Sequence, residues 1–102
     1  MPRYKVIFSR RQQDQAKVLV RQATQGGWLH QFLAAWNVMI EKLETDPLAW
    51  GDPNYRLREM NLVICHRVYS MIDVYYGVHE TEPFVFIKEF SVLHGYGLQS
   101  DS

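Results

Sequence analysis

Gly26-Gly27 constrains the fold more than any other feature, because it divides a long stretch of helical periodicity into two pieces. Before it, Ala16, Leu19, Val20 and Ala23 recur at i, i+3, i+4 and i+7, one face of a helix, and Arg10, Asp14, Lys17 and Arg21 line the opposite side. After it, Leu29, Phe32, Leu33, Trp36, Ile40 and Leu43 form a second apolar stripe from about Trp28 to Glu44. So short a break leaves room only for a tight turn, and the two pieces are expected as an antiparallel helical hairpin. Ser9 followed by Gln12 fits a capping box at the start of the first helix. Thr45-Asp46-Pro47 ends the second, because proline cannot continue it.

The flanking segments change period. Tyr4–Phe8 alternates, with Tyr4, Val6 and Phe8 on one face, and reads as a short strand. Residues 62–68, 72–78 and 84–90 are rich in β-branched and aromatic residues and read as three more. Their connections are short, which predicts an antiparallel meander. Residues 47–54 read as a loop punctuated by Gly51 and Asp52-Pro53-Asn54. The open backbone of Tyr4–Phe8 must find partners, so it is expected to join the meander. The order is β-α-α-β-β-β, an α+β class with the helix hairpin on one face of a small, mainly antiparallel sheet. At 102 residues and 47% apolar composition the chain suits one domain, expected over residues 1–98, with residues 99–102 a polar, disordered tail.

Charge and motif content narrow the function. Zero net charge argues against a nucleic-acid coat or a polybasic membrane anchor. It hides an asymmetry: Arg3, Lys5, Arg10, Arg11, Lys17 and Arg21 stand against Asp14 alone in residues 1–25, and the rest of the chain carries the opposite surplus. A solvated helix face accounts for most such stripes, but Arg10, Arg11, Lys17 and Arg21 also create a field that a partner can use. One cysteine, Cys65, excludes an internal disulfide and a cysteine-based zinc site. The four histidines lack metal-ligand spacing, so neither metal nor cofactor is expected. Cys65 and His66 alternate across a strand and cannot act as nucleophile and base. No apolar run reaches the roughly 20 residues of a membrane span. The start, Met1 to Lys5, leads into too short an apolar stretch for a signal peptide, so a cytoplasmic location is expected. Trp36 belongs to the core stripe, and Trp50, in the loop, is expected to plug the core edge rather than anchor a partner.

Several local features together resemble the RelE/ParE toxin superfamily. Tyr4-Lys5-Val6-Ile7-Phe8-Ser9 is similar to that family's opening strand and first cap. Leu43-Glu44-Thr45-Asp46-Pro47 followed by Gly51-Asp52-Pro53 is similar to its loop after the second helix. Val74-Tyr75-Tyr76-Gly77-Val78 is like its third strand, and Phe84-Val85-Phe86-Ile87 like its last. The resemblance covers about residues 4–93. It implies a bacterial protein, the toxin half of a toxin–antitoxin module, whose relatives either cut messenger RNA on the ribosome without a metal or inhibit DNA gyrase.

The cleaving members use Lys and Arg on the open face of the sheet with a Tyr or His near the C-terminus, since cleavage needs a base, cations around the phosphate and a proton donor. Here Asp73 stands where those members carry Arg, and a carboxylate repels a scissile phosphate. The resemblance therefore leaves His66, Arg67, His94 and Tyr96 as catalytic candidates, and His66, Arg67, Asp73, Tyr75 and Lys88 as a binding face. A two- or four-residue turn centred between Tyr69 and Ser70 places His66 directly opposite Asp73, and an odd-length turn places Arg67 there instead. The expected function is protein binding, to an antitoxin peptide or to a second copy of the chain. RNA or ribosome binding is disfavoured, with a rearranged metal-independent endoribonuclease or a purely structural domain as the alternatives.

Overall fold

The computed structural model describes residues 3–93. Helices and strands follow in the order β1 (Lys5–Ile7), α1 (Arg10–Gly26), α2 (Leu29–Thr45), α3 (Pro47–Trp50), β2 (Asp52–Leu57), β3 (Leu62–Tyr69), β4 (Ile72–His79) and β5 (Phe84–Val92), with a 3-10 turn at Arg58–Met60 between β2 and β3. The result is α+β: a helix pair on one face of a five-stranded mixed sheet of order β1-β5-β4-β3-β2.

The helix boundaries follow from their caps. The Ser9 hydroxyl accepts from the Gln12 N–H at 3.2 Å, and the Gln12 side chain accepts from the Ser9 N–H at 2.8 Å. Gln12 also does something the pattern did not foretell: its Nε2 donates to the carbonyls of Ile87 at 2.8 Å and Lys88 at 3.0 Å, tying the start of α1 to β5. Gly27 ends α1 at φ 79°, a conformation that only glycine adopts without strain, and the Trp28 N–H returns to the Ala23 carbonyl at 2.9 Å.

Two elements correct the expected loop over residues 47–54. Pro47 opens a helical turn, because at the first helical position its missing N–H breaks no bond. Asp52–Leu57 pairs antiparallel with β3 as a further strand, so four expected strands become five. Pro53 is tolerated there because β2 is an edge, and the register shift between Pro53 and Tyr55 leaves Asn54 out of the ladder. The expected pairing of the N-terminal strand holds: β1 runs parallel to β5, Val6 beside Val85. The other contacts are antiparallel, giving the meander β2-β3-β4-β5.

The core lies between α2 and the sheet. Phe32, Ala35, Met39 and Leu43 are buried against Cys65, Val74, Tyr76, Val78, Val85, Ile87 and Phe90. The stripe on α2 is thus turned from the expected one: Ala35 and Met39 replace Leu33, which remains 39% exposed. Trp36 packs edge-on to Phe90 at 5.3 Å and stacks on Phe8 at 5.6 Å, binding α2 to the end of the β1–β5 pair where Phe8 and Phe90 meet at 6.1 Å. Trp50 is only 8% exposed and plugs the core edge as expected, against Tyr69 and Tyr76. The Tyr76 hydroxyl donates to the Pro47 carbonyl at 2.5 Å, and a Cβ on Gly51 would run into that hydroxyl.

Candidate interaction surfaces

Strand alternation sorts the residues of β3 and β4 between two faces. Cys65, Val74 and Tyr76 face the helices, so His66, Asp73 and Tyr75 stand on the open face. The His66 ring stacks on Tyr75 with centroids 4.2 Å apart and planes 19° from parallel. Its Nε2 donates to Asp73 Oδ1 at 2.6 Å, with about 29% and 28% of the two side chains exposed. Carboxylates flank the pair, Asp52 opposite His66 on β2 and Glu89 opposite Tyr75 on β5, and beyond them the open face is aromatic and aliphatic. Phe84 and Phe86 lie 6.2 Å apart, and Leu62 and Ile64 bury over Gly77, where the missing Cβ leaves them room.

The register differs from both expected ones. The turn is Ser70-Met71, so His66 lies opposite Tyr75, Asp73 lies opposite Val68, and His66 reaches Asp73 on the diagonal. Tyr69 decides this: it packs against Trp50 at 6.1 Å from within the ladder, so the turn falls one residue later and Ser70 takes the positive φ of 54°. The pairing of His66 with Asp73 survives because diagonal neighbours on a sheet remain within reach of long side chains.

Arg67 does not belong to this face. It points to the helix side, where Nη1 donates to the Trp50 carbonyl at 3.0 Å and the guanidinium sits 5.4 Å from the Trp50 ring centre. Its Nε is buried without a partner. Lys88 also stands apart. It is the extra residue where the β4–β5 register shifts between Tyr75 and Tyr76, and it lines a polar cleft of about 430 Å³ with Ser9, Arg11, Gln12, Gln15 and Glu89. His94 and Tyr96 lie outside the described residues. Of the expected binding face, the structure therefore brings together His66, Asp73 and Tyr75 and separates Arg67 and Lys88.

Cys65 is fully buried, and burial pushes its thiol above the ordinary range. Burial likewise pushes the Tyr76 phenol well above its usual value, which keeps it a neutral donor to Pro47. Neither group is a poised nucleophile. Among the described residues no three His, Cys, Asp or Glu side chains converge on a metal-sized site, and no helix is long and apolar enough to cross a membrane.

A second surface lies on the helix pair. Arg10, Lys17 and Arg21 are exposed along one side of α1, and no ion pair engages them among the described residues. Arg11 is turned about 100° away from Arg10 toward the polar cleft. Beside Lys17, a groove of about 290 Å³ opens between α1 and α2, lined by Ala16, Lys17, Val20, Phe32, Leu33 and Trp36. Both helical stripes were legible in the sequence, but not that the helices leave a groove between them, with Val20 and Leu33 38% and 39% exposed.

No family model, curated protein or solved structure matches the chain.

Proposed function

We propose that the chain is a diverged RelE/ParE-like toxin-fold protein that acts by binding another protein, an antitoxin-like partner, rather than by cutting RNA. The observation that carries this reading is the pairing of His66 with Asp73 at 2.6 Å on the open face. A face that cleaves RNA presents its cations to a phosphate. Here the imidazole is bound to a carboxylate and stacked on Tyr75, its register partner on β2 is a second carboxylate, Asp52, and Arg67 is held behind the sheet by Trp50. Such a surface suits a protein better than a polyanion. The order of elements and the segments quoted above support the family likeness, and bacterial origin goes with it.

One observation favours a second reading. Asp73 orients His66 through Nε2, which leaves Nδ1 as an acceptor, the arrangement of an oriented general base. That pair could serve a rearranged, metal-independent endoribonuclease. The two readings part in one experiment: induced expression in a bacterial host, with growth followed and transcripts mapped by primer extension. The protein-binding reading expects uncut transcripts and no effect of His66→Ala on the RNA. Robust cuts that disappear in His66→Ala overturn it and select the ribonuclease.

A further inference from the structure

We infer that the groove between α1 and α2 is a docking site for an amphipathic helix with an acidic face, an inference that rests on the protein-binding reading above and gives it a place. The groove is apolar along its floor, where Phe32 and Trp36 lie, and Val20 and Leu33 form its half-exposed lips. Contiguous apolar surface left open on a small domain marks a contact site more often than isolated exposed side chains do. Its walls are about one turn of each helix, Ala16 to Val20 on α1 and Phe32 to Trp36 on α2, so it runs about 6 Å along the pair. That shape accepts the apolar side chains of one turn of a helix, at i, i+3 and i+4, with the rest of the helix lying over the flanking surface.

Charge selects the occupant. Lys17 stands in the groove wall itself. Arg10 and Arg21 lie on the same side of α1, about 10 Å and 6 Å along the axis from it, and Asp14 is the sole carboxylate among them. None of the three cations is engaged in an ion pair among the described residues. A partner with carboxylates along one side of its helix satisfies all three while its apolar side fills the groove. A nucleic acid meets the cations but has no apolar side chains for Val20, Leu33 and Trp36, which is why the structure favours protein.

The test uses the full chain and a labelled synthetic helix of about 20 residues, roughly 30 Å long, with Leu at i, i+3, i+4 and i+7 and Glu along the flank beside the Leu stripe. A second peptide replaces every Glu by Lys, and a third scrambles the acidic peptide to the same composition without the stripe. Binding is read by fluorescence anisotropy and placed by amide shifts in ¹⁵N spectra, which also report that each variant remains folded. The acidic amphipathic peptide is expected to bind, to move the amides around Lys17, Val20 and Leu33, and to weaken steeply with salt. Leu33→Glu and, separately, Lys17→Glu are expected to weaken it by about tenfold. Equal binding of the lysine or scrambled peptide, or absence of binding by the acidic one, overturns the inference. So does a shift pattern centred on Tyr75, Phe84 and Phe86, but that result moves the partner to the open face and leaves protein binding intact. A single-stranded RNA that binds the same amides more tightly than the acidic peptide also overturns it. Transcript cleavage, by contrast, removes the protein-binding reading without touching the peptide result.

Discussion

On the open face of β3, His66 is paired with Asp73, stacked on Tyr75 and within reach of solvent. On the helix face, the next residue in the chain, Arg67, is locked against the carbonyl and ring of Trp50. The side chains differ by one step in sequence, and a strand sends consecutive side chains to opposite faces. The difference teaches that a cation in a strand is committed to structure or left available by what packs above it, not by its own chemistry. Over Arg67 lies a built corner: Trp50, Tyr69, and Tyr76 bound to Pro47, closed over Gly51. Over His66, among the described residues, lies no helix.

The contrast predicts a graded set of mutational costs. Trp50→Ala should cost most, about 3–5 kcal/mol, because it empties the corner and strips Arg67 of its aromatic face. Urea denaturation checks this, and a cost below that of any open-face substitution would break the comparison. Gly51→Ala comes next at about 1–3 kcal/mol, since the new methyl meets the Tyr76 hydroxyl where that hydroxyl is already bonded.

Tyr76→Phe should cost about 1–3 kcal/mol at neutral pH by leaving the buried Pro47 carbonyl unpaired. It should also change the alkaline limit. The folded phenol titrates above its ordinary value of 10.0, so its contribution is complete below that pH and is lost as pH rises toward the folded value. Thermal melts between neutral and strongly alkaline pH should therefore show wild type losing its advantage over Tyr76→Phe as pH climbs. A constant gap would mean that the phenol ionises freely in the folded state. At the small end, Asp73→Ala should change stability by less than about 1 kcal/mol, the worth of a cross-strand pair. An NMR titration of His66 in that variant sharpens the point, because an imidazole indifferent to Asp73 would remove the pair from the functional argument.

The same two faces show how far pattern alone reaches. The capping box at Ser9, the break at Gly26-Gly27, the strand runs and the pairing of the N-terminal strand with the C-terminal meander were all readable, because each depends on periodicity or on the backbone's need for partners. Residues 47–57 were not. Pro47, Gly51 and Pro53 signal interruption in a linear reading, yet an edge strand and a first helical turn both tolerate proline. Arg67 was misassigned to the open face because its grouping with His66 came from the family likeness rather than from alternation.

By itself, the sequence determined the class of the fold, the helix hairpin, most of the sheet and the surplus of positive charge on α1. These are local or periodic properties, carried by the spacing of side chains along the chain. Tertiary structure alone decided the rest. Tyr69 had to find Trp50 before the β3–β4 turn had a position, and that packing brought His66 to Asp73 on the diagonal. The choice between a sealed helix pair and an open groove was also tertiary. It rests on how α2 turns its Phe32, Ala35, Met39 and Leu43 line onto the sheet, which leaves Leu33 outside. Apolar burial is satisfied by many relative placements of the same stripes, and only the packing of the whole molecule selects one.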